Sequence, residues 1–119
     1  MNASSRHARH TIRTRAAQTR AARRAHRLVA TGTPQTARTH LVAAGLDDAT
    51  AKRYAGAFSR GIAPTAVVEA SVKLRGRRRK TIAVKLYDTA GFTARLAVYR
   101  PKDLTAAARF EQTAHRLAA

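Results

Sequence analysis

The chain has 119 residues, with 24 Lys or Arg against 6 Asp or Glu and a formal charge of +18. Because such an imbalance repels itself in a compact state, it indicates a polyanionic partner, and nucleic acid rewards positioned cations by releasing counterions. The absence of cysteine excludes disulfides, thiolate metal sites and cysteine nucleophiles. No apolar run approaches the roughly 20 residues that a membrane span needs.

The N-terminal quarter of the chain is basic and free of acidic residues. Nine arginines and no lysine precede Asp47, the first acidic residue. Residues 1–12 are rich in Ser, Asn, His and Arg, which predicts a disordered basic tail. Residues 13–30 are rich in Ala, Arg and Gln without Pro or Gly, and predict a basic amphipathic helix that Gly32 ends.

One side of this predicted helix carries Arg20, Arg24 and Arg27, which we take as candidate phosphate contacts. An organelle transit peptide shares the composition of this segment, although it usually has a stronger apolar face. We divide the chain into a basic tail with an Arg-rich helix, residues 1–32, and a nucleic-acid-binding domain, residues 33–119.

Large apolar residues are sparse before Thr33 and regular after it, and they suffice for one modest core. The candidate core residues are Leu41, Val42, Leu46, Tyr54, Phe58, Ile62, Val67, Val68, Val72, Leu74, Ile82, Val84, Leu86, Phe92, Leu96, Val98, Leu104, Phe110 and Leu117.

Two short helices are predicted next. Thr33 as N-cap and Pro34 at the first helical position begin a helix that ends before Gly45. Asp47 then caps a second helix that runs to about Arg60. Its predicted inner face is Ala51, Tyr54, Ala55 and Phe58.

A β-hairpin is predicted over residues 67–87. After Pro64 the apolar period changes from 3.6 to 2, and two alternating runs are joined by a short basic loop that contains Gly76. The alternation places Val68, Ala70, Val72 and Leu74 on the same face of the first strand.

Residues 92–99 fit two structures. Every second residue from Phe92 is apolar and Gly91 suits a turn, which favours a third strand. The alternative is a helix capped by Asp88. Asp103 predicts the start of a last helix that runs to about Leu117.

Residues 37–60 resemble the helix-turn-helix family: residues 44–54 look like its turn and the front of its recognition helix. With the hairpin at residues 67–87, the order of elements resembles a winged helix-turn-helix. The fold class is therefore α+β: a small helix-turn-helix-like unit, an antiparallel hairpin with or without a third strand, and a C-terminal helix. The resemblance implies base contacts near the second helix's start, by Thr50 and Arg53 among others.

The candidate interface combines three segments: the Arg-rich helix, the second short helix and the hairpin. From Lys73 to Lys85 the hairpin has seven basic residues and no acidic residue. This pattern is expected of a wing that contacts phosphates or enters a minor groove. The candidate nucleic-acid contacts are Arg20, Arg24, Arg27, Thr50, Lys52, Arg53, Arg60, Lys73, Arg75, Arg77, Arg78, Arg79, Lys80 and Lys85.

The sequence favours duplex DNA over RNA as the partner. Tyr87 on the hairpin is a candidate for stacking on an RNA or single-stranded base. Aromatic residues make up only 5% of the chain, however, which favours duplex over single-strand binding.

We expect a sequence-selective, nucleoid-associated cytoplasmic regulator of mobile-element type. The alternatives are a non-specific nucleic-acid protein and a basic inhibitor of an acidic protein. We expect no catalytic residue, metal site, cofactor or membrane partner; a homodimer through the last helix stays open.

Overall fold

The computed structural model describes residues 3–118 and confirms the α+β class, with five helices and a two-stranded antiparallel sheet in that range. The elements in chain order are α1 Ala3–Ala30, α2 Ala37–Ala44, α3 Asp48–Ser59, β1 Ala66–Lys73, β2 Arg79–Leu86, α4 Thr89–Val98 and α5 Leu104–Ala118.

Helix α1 is longer than the sequence predicts. The helix over residues 13–30 is confirmed, but the expected disorder of residues 3–12 is wrong, because the helix continues through them. Each residue added to an existing helix gains a backbone hydrogen bond, and this segment has no Pro or Gly to stop it. Residues 1 and 2 of the predicted tail lie outside the described residues.

The α2–α3 unit forms where it was predicted, with one cap displaced. The N-cap of α2 is Thr36, whose hydroxyl accepts from the Thr39 N–H at 3.2 Å, and the prediction of Thr33 and Pro34 is wrong. The reason is tertiary: the Gln35 backbone pairs with Tyr87 in both directions, at 3.0 and 2.8 Å, which keeps this segment extended.

Gly45 ends α2 as predicted, with φ at 120°. Asp47 is the predicted N-cap of α3 and accepts from the Thr50 N–H at 3.2 Å. On α3, Ala51 and Phe58 are buried.

The core is an aromatic cluster between α3, α4 and α5. Phe58 is fully buried, and its ring lies 5.5 Å from that of Phe92, 5.4 Å from that of Tyr99 and 6.3 Å from that of Phe110. Ala25 of α1 belongs to the same buried cluster. The predicted division after residue 32 stays a prediction, although α1 therefore contributes to this core.

Residues 92–98 belong to helix α4 and Tyr99 is its C-cap, so the favoured third strand is wrong and the alternative helix is confirmed. The Asp88 carboxylate accepts from the Gly91 N–H at 2.7 Å, which caps the helix. A Cβ on Gly91 would lie 2.9 Å from that carboxylate, so glycine suits this first turn. Helical spacing brings Phe92, Leu96 and Tyr99 onto the core. A strand would instead put Val98 on the face of Phe92 and Leu96, but Val98 is 69% exposed.

The hairpin stands away from the core. Its strands pair from Ala66 opposite Leu86 to Lys73 opposite Arg79. The predicted burial of several apolar side chains is wrong, because the hairpin is held at its base and its strands pair mainly with each other. The exposed candidates are Val67, Val68, Val72, Leu74 and Ile82, and outside the hairpin Val98, Leu104 and Leu117.

We predict that Phe58→Ala lowers the free energy of unfolding by about 3–5 kcal/mol, because it opens a cavity among three neighbouring aromatic rings. Urea denaturation followed by far-UV circular dichroism measures the change. The control is Leu104→Ala, whose side chain is 85% exposed and whose loss should change stability by no more than about 0.5 kcal/mol. Equal losses in both variants would contradict the assignment of the core.

Candidate nucleic-acid interface

The outward face of α3 is basic and has little side-chain bulk. Lys52, Arg53 and Arg60 are exposed there, as are Ala49 and Gly56. The opposite face holds Ala51 and Phe58 in the core, so the helix cannot rotate this surface inward without losing that burial. The guanidinium of Arg53 lies 5.3 Å from the centre of the Tyr54 ring, within range of a cation–π contact.

The carboxylate of Asp48, at the start of α3, lies near cations of three helices, α1, α2 and α3. Arg38 of α2 grips its carboxylate through two nitrogens, with Nε 2.8 Å from Oδ1. This hydrogen-bonded pair holds the pKa of Asp48 below its ordinary value, and the charges of Lys52 and Arg24 lower it further. Arg24 of α1 and Lys52 of α3, two predicted contacts, therefore lie on the same part of the surface.

Thr50 lies beside the Asp47 cap. Its hydroxyl donates to Asp47 Oδ1 at 2.6 Å and accepts from Arg109 at 3.2 Å. Burial favours a higher pKa for Asp47, but the hydrogen bonds from Thr50 and the nearby Arg109 charge bring that pKa below its ordinary value. Thr50 thus has a capping role in this structure, and its predicted base contact stays a prediction that requires this network to open.

Three arginines next to α3 were missed by the sequence prediction. Arg38 and Arg109 flank the first turn of α3. Near the C-terminus of α3, the Phe58 carbonyl accepts from Nε of Arg95 in α4 at 2.9 Å. A cation is favourable at that end of a helix. Their positions come from tertiary packing; the signal available in the sequence was the charge excess.

The predicted contacts on α1 are all exposed. Arg20, Arg24 and Arg27 line an open groove along the helix with Arg23. α1 runs antiparallel to α2: Gln35, just before α2, donates to the Leu28 carbonyl at 3.3 Å, whereas Arg15 lies near the α2–α3 turn. The part of α1 before Arg15 consequently extends past that turn.

We call the β1–β2 hairpin, residues 66–86, the arm. Its seven predicted basic contacts are all exposed: Lys73, Arg75, Arg77, Arg78, Arg79, Lys80 and Lys85. At its tip Leu74 N–H donates to the Arg78 carbonyl at 2.9 Å, and Gly76 has a φ of 75° that permits the tight reversal.

Tyr87 is 3% exposed, so the prediction that its ring is available for base stacking is wrong. Its backbone carbonyl lies 2.7 Å from Nε2 of the buried His40, and its pairing with Gln35 anchors the base of the arm. Tyr87 is therefore a buried anchor for the arm rather than an exposed side chain.

The two basic extensions leave the α2–α3 unit at opposite ends. The arm is anchored beside the start of α2 and follows the end of α3, whereas the first part of α1 passes the turn between them. The longest dimension of the Cα trace is 52 Å. None of the helices described between residues 3 and 118 has the length and apolar character needed to cross a bilayer.

Comparison with known proteins returned no matching family model, no matching curated protein and no matching solved structure.

We predict that Asp48→Asn lowers stability at pH 7 by about 0.2–1 kcal/mol, the range of exposed ion pairs. Because the folded-state pKa of Asp48 is depressed, the stabilisation is present above the unfolded pKa of about 3.9 and is lost as pH falls through the folded pKa. The difference from wild type should therefore shrink in acid. Urea denaturation from pH 2 to 7 measures it, with Glu69→Gln on the arm as the control; a difference that grows in acid would contradict the assignment.

Proposed function

We propose that this protein binds duplex DNA and distinguishes among DNA sequences, with α3 as the reading element and the two basic extensions on the flanking backbone. The single observation that carries the proposal is the outward face of α3. It combines exposed cations with small side chains, next to a surface where further cations from α1 and α2 converge.

The shape of this face suits a major groove. A helix with its side chains is about 10–12 Å wide and the groove about 12 Å, so bulky outward side chains would hold the helix off the bases. Ala49, Gly56 and Ala57 are exposed on α3 and permit a close approach. Arg53 lies among them, and Arg is the usual bidentate reader of guanine.

The extensions supply backbone contacts. α1 and the arm carry exposed cations beyond both ends of the α2–α3 unit. Phosphate contacts of this kind fix register and give affinity, whereas base contacts give discrimination. A length of 52 Å matches about 15 base pairs of duplex at 3.4 Å per base pair, which is the footprint we expect.

A second candidate is non-specific binding to DNA or structured RNA. One observation favours it: α1 and the arm together hold fifteen of the 24 basic residues, and α3 holds two. Competition between a selected duplex, a random duplex and structured RNA separates the candidates. Selectivity above about 10³ supports sequence-selective DNA binding, and a ratio near one supports the second candidate.

We predict that replacing Arg77, Arg78 and Arg79 with Ala weakens binding to all duplexes alike. The slope of log K against log salt should fall by up to about 3, since each lost phosphate contact removes about 0.9. Fluorescence anisotropy on a labelled duplex between 50 and 200 mM salt measures it. Lys102→Ala, a cation in the α4–α5 connection, is the single-charge control and should leave the slope nearly unchanged. A wild-type affinity that does not depend on salt would contradict the proposal.

We predict that Arg53→Ala costs about 1–3 kcal/mol of binding at the preferred sequence and little on random duplex, because a base contact adds energy at its own site alone. The preferred sequence comes from selection in a random duplex pool, with an RNA pool in parallel. Arg53→Lys is the matched control: it keeps the charge and loses the bidentate geometry. Uniform weakening on every duplex would make Arg53 a phosphate anchor and favour the non-specific candidate.

A further inference from the structure

The tip of the arm exposes a large apolar side chain. Leu74 follows β1 and is 43% exposed. Strand alternation continues from Val68 and Val72 to Leu74 along one face of the arm, and Val72 pairs with Lys80. The apolar face thus runs outward and ends at Leu74, the last residue before the tip loop.

The residues next to Leu74 at the tip of the arm are cationic. Its neighbours along the chain are Lys73 and Arg75, and Arg78 lies across the hairpin, joined to it by the backbone bond of 2.9 Å. Arg77 completes the tip beside Gly76. The tip of the arm therefore combines one exposed apolar side chain with cations on both faces, because strand alternation points Lys73 and Arg75 away from the face that carries Leu74.

This combination restricts what can cover Leu74. A second copy of the arm would bring the same cations against each other, and an ordinary protein hydrophobic patch offers no matching anions. A base-pair step offers both features, because its stacked faces are apolar and phosphates flank it on each strand. Charge complementarity around an apolar centre therefore favours duplex DNA.

We propose that Leu74 inserts between two base pairs from the minor groove and kinks the duplex, while the surrounding cations hold the two phosphate strands. This inference rests on the proposed DNA-binding function and adds a second activity to it, the bending of DNA. Leu is among the wedge residues that unstack base steps, with kinks of about 20–90° toward the major groove. Flexible pyrimidine–purine steps are the ones that yield most easily.

The arm is built to deliver such a side chain. Its base is fixed to the core by the Gln35–Tyr87 pairing, and its strands keep an unbroken register up to Lys73 and Arg79. Its tip is closed by Gly76 without a long loop. The position of Leu74 is therefore determined by backbone hydrogen bonds along the whole arm.

The decisive experiment compares bending with binding. The full chain is titrated onto a duplex labelled at both ends for energy transfer, and the affinity is measured on the same duplex by anisotropy. We expect the wild type to shorten the end-to-end distance, and Leu74→Ala to abolish the shortening while affinity falls by less than about tenfold, since phosphate contacts supply most of it. Leu74→Ile, which keeps an apolar branched side chain at a strand end, should retain the bend.

The matched control is Val67→Ala. Val67 is 55% exposed and pairs with Lys85 on the other face of the arm, so its loss should leave both bending and affinity unchanged. Equal effects of Val67→Ala and Leu74→Ala would overturn the wedge and indicate a general effect on the arm. Wild-type binding to a duplex that stays straight would overturn the wedge alone and leave the proposed function standing, whereas failure to bind duplex at all would overturn both.

A second readout follows from the absence of tryptophan in the chain. Leu74→Trp places a single reporter at the tip, and stacking between bases should quench its fluorescence on duplex DNA, while Val67→Trp should not be quenched. Vesicles containing phosphatidylserine test the competing surface, since a lipid headgroup layer also joins apolar and anionic groups. A blue shift of Leu74→Trp on vesicles without quenching on DNA would overturn the proposal.

Discussion

All four aspartates of the chain stand at the start of a helix. Asp47 caps α3, Asp88 caps α4, and Asp103 accepts from the Ala106 N–H at the start of α5 at 3.1 Å. Asp48 is the first residue of α3 and binds Arg38. Negative charge at helix N-termini stabilises the first turn. Because most of the acidic residues are used in this way, the greater part of the positive charge has no carboxylate partner among the described residues 3–118, as the polyanionic ligand that we propose would require.

The core depends on a small number of large side chains. Phe58, Phe92, Tyr99 and Phe110 pack between α3, α4 and α5, and this cluster holds the basic face of α3 outward. The hairpin joins this body at its base through Tyr87. A small chain with few large residues can thus support a rigid centre and still extend two charged elements beyond it.

Reading and gripping are divided between these parts in the function that we propose. α3 is held by buried side chains, which suits a surface that must present Arg53 in one orientation. Most residues of the arm and of residues 5–15 in α1 are exposed, which suits contacts with a regular array of phosphates. The Asp48 cluster joins the two, because Arg24 of α1 and Lys52 of α3 both act on its carboxylate.

The sequence by itself determined the class of fold, the α2–α3 unit, the hairpin and the starts of α3 and α5, because caps and alternation depend on contacts within a few residues. Tertiary structure decided the rest. Residues 92–98 became a helix because helical spacing brings Tyr99 onto the core with Phe92 and Leu96, whereas strand alternation would have placed Val98 there. Thr36 replaced Thr33 as a cap because Gln35 pairs with a residue far along the chain. At the candidate interface, charge counting located the basic segments, but the engagement of Thr50 by Arg109 and the burial of Tyr87 depend on partners that no local pattern contains.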